Sequence, residues 1–570
     1  MKKIFLLIAL LVSVSVTVSA TVKPRKRGAI VQGEILDSCV NVSASQATYL
    51  GKKKAIGERT TAPLTSVGSP KIPVILTQFS DVKFTSGLAE KNDESMIAQR
   101  LYNWEANDVS EKEGKQRSGT KQCLTDEDVD VVNAFYDKFC NGDGIENGYY
   151  KDGGSYGAIR EYFRDQSRGL FTPEFVVIGP VTLDSECAYY GKNNGSSKDV
   201  NISKFYQEAI NKAQEIYSDW SDFDNDGNGD VDMAFFIYAG EGENGYGDEN
   251  TIWPKEQISG GTINGIKYGC YACCNETFGG YTDGIGVFVH ELSHAMGLPD
   301  FYDTRYVAYG MDYWDIMDSG CYCNNAYTPC NYTAYERDFM GWNELVTLNM
   351  MEPQTLILSP LSDNGVGYKI VNPENEDEFY IIENRQPLTW DLYVGNGTER
   401  TKMHGLMITH VDYQKSSWTS NSVNTVKNHQ RMTIIPADGE LYSYMNVDSQ
   451  ETYNKYMQST IGDLFPGVQN VTELSGESAY VYTSTGETPH QMNQAITDIT
   501  ENEDMTITLR YMGLPTSVVS SLFANRQENV PVYSISGVLV GVTDIEYGKP
   551  TNLPSASGVY IVGDKKYTVR

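Results

Sequence analysis

The stretch VFVHELSHAMGLPDFYD, residues 287–303, decides how the rest of the 570-residue chain is read. It carries two of the chain's six histidines, His290 and His294, with Glu291 directly after the first. Residues i and i+4 of a helix share a face, so a helix over 285–297 lets both imidazoles meet one cation. Glu291 is turned by about 100° from His290, where it reaches a water beside that cation without ligating it. This is the H-E-x-x-H arrangement, with the glutamate as general base. A solvated or core pair of histidines is the plain alternative, and the residues that follow argue against it. Gly297 sits where a helix stops with positive φ, and Leu298-Pro299 keeps the helix from continuing. Asp300 then lies six residues past His294. A carboxylate oxygen is an acceptable zinc ligand at about 2.0–2.2 Å. Asp300 is the expected third ligand, with Asp303 one turn further on as the alternative.

The full pattern, H-E-x-x-H-x-x-G-x-x-D, resembles the metzincin motif with aspartate in place of the more usual histidine. Metzincins also carry a methionine turn beneath the metal, and DYWDIMDSG (312–320) supplies Met317 for that role; ordinary core packing would ask the same of it. Together with SYGAIREYFRDQSRGLF (155–171), DFDNDGNGDVDMAFFIYAGEG (222–242) and YERDFMGW (335–342), these stretches resemble the immune inhibitor A family of secreted bacterial metallopeptidases. FYIIENRQ (379–386), HGLMITHVDY (404–413) and GDLFPG (462–467) carry the likeness on to about residue 510. The resemblance implies a zinc endopeptidase made as a secreted precursor, acting on proteins or peptides. By position, His290, His294 and Asp300 would bind zinc and Glu291 would be the base. A second oxyanion donor is sought among nearby tyrosines such as Tyr302 and Tyr313.

Outward from the motif, strands alternate with helices from about 72 to 350. IPVILTQF (72–79), FTPEFVVIGPV (171–181) and VDMAFFIYAG (231–240) read as strands, 155–169 and 201–220 as helices. After 350, short apolar runs separated by Gly, Asn, Asp and Pro read as an all-β module to 512. A small β domain follows over 513–570, whose ending GVYIVGDKKYTVR resembles the sorting domains of type IX secretion. The expected fold is therefore an α+β (α/β-type) metzincin-like catalytic domain over 72–350, an all-β sandwich-like domain and the C-terminal β domain. Residues 1–20 read as a signal peptide: Lys2 and Lys3, an apolar run, and Val18-Ser19-Ala20 before the cut. Residues 21–71 then read as a propeptide or linker.

With 45 basic against 75 acidic residues the net charge is −30, which excludes a nucleic-acid surface as the natural reading. No segment after the leader is long and apolar enough for a stable membrane span. An exported chain permits disulfides, and six of the ten cysteines bracket the motif: Cys270, Cys273 and Cys274 before it, Cys321, Cys323 and Cys330 after it. Disulfide stapling is expected over a structural zinc cluster on Cys270-x-x-Cys273. Cys39, in the propeptide, is a candidate latency ligand. DFDNDGNGDVD (222–232) puts Asp224, Asp226, Asn228, Asp230 and Asp232 at alternate positions, like the front half of an EF-hand calcium loop. Phe235 stands where the closing acid belongs, so calcium here would need help from Glu241 or Glu243 and would be structural. A surface adhesin on a degenerate peptidase fold and a metal-dependent hydrolase of another class are the rival functions; intact His290, Glu291 and His294 count against the first.

Overall fold

The computed structural model describes residues 62–569 apart from 87, 89–123, 143–156, 395–401, 515–526 and the positions 196, 247, 259–260, 279–280, 325, 484–485, 547–548 and 564. The leader, Cys39 and secretion-related expectations at the N-terminus lie outside the described residues.

Seven strands make the sheet that carries the motif: β1 (Lys71–Gln78), β2 (Glu174–Thr182), β3 (Val231–Glu241), β4 (Lys255–Ile258), β5 (Thr262–Ile263), β6 (Ile266–Phe278) and β7 (Tyr281–Thr282). Their order is β2-β1-β3-β6-β4, with β5 and β7 also on β6. β2, β1, β3 and β6 are parallel, and β4 closes the edge antiparallel. Parallel strands need cover on both faces, which explains why β3 is buried along nearly its whole length. The cover comes from α1 (Asp126–Asn141), with α2 (Ile159–Gln166) packed on it, and from α3 (Ile202–Ile216) and α4 (Gly286–Ala295). Phe235 of β3 stacks on Phe288 of α4 with ring centroids 3.6 Å apart. The next residue, Phe236, points to the other face against Phe205 and Tyr206 of α3, at 5.6 and 5.0 Å. One strand thus seats the motif helix on one side and α3 on the other.

The strand β6 also corrects the cysteine expectation. Successive side chains of a strand face opposite ways, so Cys273 and Cys274 go to different layers. Tyr206 Oη donates to Cys273 Sγ at 3.6 Å on the α3 side. Cys274 pairs in register with Ile237, on the same face of the sheet as Phe235 and so towards α4. Among the described residues, Cys140, Cys273, Cys274, Cys321 and Cys330 are buried thiols rather than disulfide halves. Burial pushes each of these thiols up, Cys273 to about 12. An i, i+3 pair on one strand straddles the sheet, and so cannot form the Cys-x-x-Cys metal knuckle either.

A second correction concerns where the core begins. Within residues 62–70, expected in a propeptide or linker, Leu64 belongs to it. Leu64 is 2% exposed, and its N–H donates to Ala295 O at the last turn of α4 (3.2 Å). Trp342 Nε1 donates to Ser66 O at 2.6 Å.

Beyond the first sheet lie β8 (Val346–Thr347), β9 (Gln354–Leu358), β10 (Tyr368–Asn372), β11 (Asn375–Arg385), β12 (Gly405–Asp412) and β13 (Met432–Ile434). Five of them form the sheet β13-β12-β11-β10-β8, while β9 joins a separate three-stranded sheet with the strands Ile496–Glu501 and Ile507–Tyr511. Every residue of β12 is buried. Alternate residues explain it: Phe379, Ile381, Met407 and Val411 belong to the apolar cluster that starts at Leu64, whereas Tyr380, Ile382, Leu406 and Ile408 belong to a second one with Leu358, Ile496 and Tyr511. The five-stranded sheet is therefore a middle layer, and the expected boundary at 350/351 does not coincide with a break between cores. Nor is the region all-β. A helix, α5 (Gln450–Ile461), starts on a capping box in which Ser449 accepts from the Thr452 N–H. The C-terminal β domain keeps a small apolar centre of its own, Val532, Tyr560 and Val562. No described helix is long and apolar enough to cross a membrane.

Candidate metal centre

The motif helix can start where it does only because Gly286 is a glycine. Its N–H donates to Ala326 O at 2.9 Å, and a Cβ there would meet Cys321 O at 1.8 Å. The helix ends as the sequence expects: Gly297 takes φ +114°, and the Gly297 and Leu298 amides close on the His294 and Ser293 carbonyls at 2.9 and 3.2 Å. The chain then folds back beneath α4 and brings Asp300 to the histidines.

His290 Nδ1 donates to Ile316 O at 2.9 Å and His294 Nδ1 to Leu298 O at 2.8 Å. A carbonyl only accepts, so both Nδ1 atoms carry the proton and both Nε2 atoms present lone pairs. Each Nε2 lies 3.2 Å from Asp300 Oδ1. That oxygen is buried and receives no hydrogen bond from any described residue. Two imidazole nitrogens and one carboxylate oxygen thus converge with no hydrogen between them. Only a cation, a proton or a metal, is at home there, and the donor set suits a borderline divalent metal. The charges say the same. Burial alone would lower both imidazoles, but the Asp300 carboxylate outweighs it, raising His290 and pushing His294 up to about 9. Burial would raise the Asp300 carboxyl; His294 and His290 instead hold it well below the usual carboxylate range.

Asp303 is not part of this cluster. Its carboxylate accepts the N–H groups of Arg305, Val307 and Ala308 at 2.7–2.8 Å and so shapes the loop instead. Glu291, on the next face of α4, is 6% exposed. Burial raises its carboxyl, against the pull of His290 and His294 beside it. Met317 is fully buried, and its neighbour Ile316 supplies the carbonyl that orients His290. Of the two tyrosines considered, Tyr302 has its phenol pushed up by burial and by the Asp300 charge, and it stacks on Tyr306 at 5.9 Å. Tyr313 is packed away against Tyr456.

Sequence reasoning missed the residues that hold this loop, because they come from far downstream. Asn421 Oδ1 accepts the Asp300 N–H and Asn421 Nδ2 donates to Asp300 Oδ2, both at 2.6 Å. Asn424 Nδ2 donates to Phe301 O at 2.7 Å. Asp463 Oδ2 accepts from Trp314 Nε1 at 2.8 Å, and Arg385 Nη1 donates to Trp314 O at 3.1 Å. No spacing rule ties residues 70–150 positions apart; only the middle-layer sheet brings them together.

The acidic loop behaves less uniformly than its spacing suggests. Asp224, Asp226 and Asp232 offer oxygens within 4.8 Å of one another. Asp230 is paired with Lys267, and Asn228 spends its side chain on the Asp230 N–H (2.7 Å) and Asp226 Oδ2 (2.9 Å). Asp232 Oδ1 is buried without a hydrogen bond from any described residue, and burial raises the carboxyl to about 6.

The model of the immune inhibitor A peptidase M6 catalytic domain matches residues 60–344, half of the chain, and the chain belongs to that family. Among curated relatives it is similar to the pre-pro-metalloprotease PrtV of Vibrio cholerae serotype O1, at 26% identity over 255 residues, 38% of this chain and 28% of that protein. It is also similar to Immune inhibitor A of Bacillus thuringiensis subsp. alesti, at 27% identity over 237 residues, 36% of this chain and 34% of that protein. The match thus spans about a third or less of the length of these relatives.

Proposed function

We propose that this chain is an exported zinc endopeptidase that hydrolyses peptide bonds of extracellular proteins. The observation that carries the reading is the convergence of His290 Nε2, His294 Nε2 and the unbonded Asp300 Oδ1 beside a buried glutamate on the same helix. Family membership supports it, as do the metalloprotease names of the relatives. Zinc, when held by these three residues, supplies Lewis acidity: it polarises a peptide carbonyl and brings water towards a pKa of about 7. The rest is done by the chain. The Ile316 and Leu298 carbonyls fix the tautomer of each imidazole, so that Nε2 stays a ligand. Glu291 takes the proton of the attacking water on its carboxylate and returns it to the leaving amine. Its buried setting brings its proton affinity closer to that of water so activated.

The test is metal content with cleavage of a mixed peptide library by protein freed of its first 61 residues. Expected are tightly bound zinc, cleavage, and loss of cleavage in a chelator that zinc restores. Protein that holds zinc and cuts nothing makes it a binding protein or another hydrolase; protein that takes up no zinc overturns the reading.

We further propose that Asp224, Asp226 and Asp232 hold a structural calcium ion, with Export through the leader at 1–20 and a sorting role for the C-terminal β domain as companion readings. The unbonded Asp232 Oδ1 supports the calcium reading. Because burial raises the Asp232 carboxyl to about 6, protons compete with calcium below that pH. Calcium is therefore expected to stabilise the fold at pH 7.5 by about 2.7 kcal/mol at a hundredfold excess over Kd, seen as a raised unfolding midpoint, and to have little effect at pH 5. The same gain at both pH values would place the ion elsewhere.

A further inference from the structure

Asp300 reaches the histidines on a segment, 297–311, that contains no helix or strand. A ligand on such a segment must take its orientation from its partners. Asn421 supplies it from a turn after the short helix Lys415–Thr419, 121 residues downstream and outside the family-matched range 60–344. The contact is reciprocal: one amide accepts from the Asp300 main chain and donates to its carboxylate, each at 2.6 Å. Backbone and side chain of Asp300 are thereby fixed together. With Oδ2 held by Asn421, only Oδ1 is left to face His290 and His294. The turn presents Asn421 at φ +51°, a conformation that asparagine tolerates better than most residues. Next to it, Asn424 holds Phe301 O at 2.7 Å, so the residue after Asp300 is anchored by the same turn.

We infer that Asn421 is a positioning residue of the metal centre, which sets Asp300 to ligate through Oδ1 alone and so makes the site depend on a segment beyond the family-matched domain. The inference rests on the metal reading proposed above. An asparagine suits the role where an aspartate would not, because an oxygen in place of Nδ2 would oppose Asp300 Oδ2 with like charge.

The test uses the whole chain and three proteins: wild type, Asn421→Gly and Asn421→Asp. Glycine adopts φ +51° without strain, and Asn421 is exposed, so Asn421→Gly removes the amide while sparing the fold. Zinc affinity is read by chelator competition, the ligand field by the visible spectrum of the cobalt-loaded protein, and stability by the unfolding midpoint of the metal-free protein. Expected are an affinity lower on the order of 10–100-fold in Asn421→Gly, a larger loss in Asn421→Asp, an altered cobalt spectrum, and an unchanged metal-free midpoint. Equal affinity and spectra in all three overturn the role of Asn421 and leave the metal reading intact. A fall in the metal-free midpoint that accounts for the affinity loss makes Asn421 merely structural and overturns it too. Wild type that takes up no zinc overturns the metal reading itself.

Discussion

On the proposed function, Glu291→Gln is expected to keep zinc and to hydrolyse peptides more slowly, on the order of 10²–10⁴-fold. The three converging donor atoms belong to His290, His294 and Asp300, so removing the glutamate's charge takes no ligand from the metal. Glutamine fills the same buried space beside α4 and still offers an oxygen to a water. What it cannot do is accept the proton that the water must lose. The loss is expected in kcat, with KM little changed, because Glu291 acts on the water rather than on the peptide's side chains. Metal analysis and steady-state kinetics on the two proteins check it. A variant that loses zinc as well would make Glu291 part of the metal's support; one with full activity would put the base elsewhere.

Arg385→Met is expected to cost about 3–5 kcal/mol of stability, because it leaves carboxylates buried without their cation. Arg385 is 1% exposed. Its Nε and Nη2 donate to the two oxygens of Asp391 at 2.8 and 2.7 Å, and Nη1 reaches Glu383 at 3.2 Å and Trp314 O at 3.1 Å. Burial works against the guanidinium's charge, yet Asp391 and Glu383 more than compensate and raise its pKa. The measurement is the urea midpoint at constant slope. Pairing the change with Asp391→Leu should recover part of the loss, since replacing both partners by apolar groups removes the stranded charge. If Arg385→Met alone is neutral, water reaches this pair and the middle layer is looser than its burial implies. Activity should fall beyond the stability effect, because Trp314 sits two residues before Ile316, whose carbonyl orients His290.

The candidate metal site is legible in the sequence because its grammar is local. A four-residue spacing, a glycine stop and an aspartate six residues on are set by one helix and one turn, and the structure brings His290, His294 and Asp300 together. The strands at 72–79 and 231–240 are legible for the same reason, as mostly apolar runs. Two things are not. The strand β6 is masked by its cysteines, whose spacing fits a bonding pattern, although the strand is buried along most of its length. The sequence expectation assigns the middle-layer sheet to a separate all-β sandwich-like domain. Its runs FYII and LMI are apolar at successive rather than alternate positions, as strands with cover on both faces are. That pattern is available at the residue level. The partners that then meet across the layer, Arg385 with Trp314 and Asn421 with Asp300, follow only from the packing.

Synthesis runs from the N-terminus, and that direction meets a structural fact. The helix bearing His290 and His294 is complete at Ala295, but the loop beneath it is fastened by Arg385, Asn424 and Asp463. A growing chain therefore displays its histidines well before it possesses the residues that hold their surroundings in place. On the proposed function, a chain still short of these fasteners is expected to lack peptidase activity, which would spare the proteins around it during synthesis.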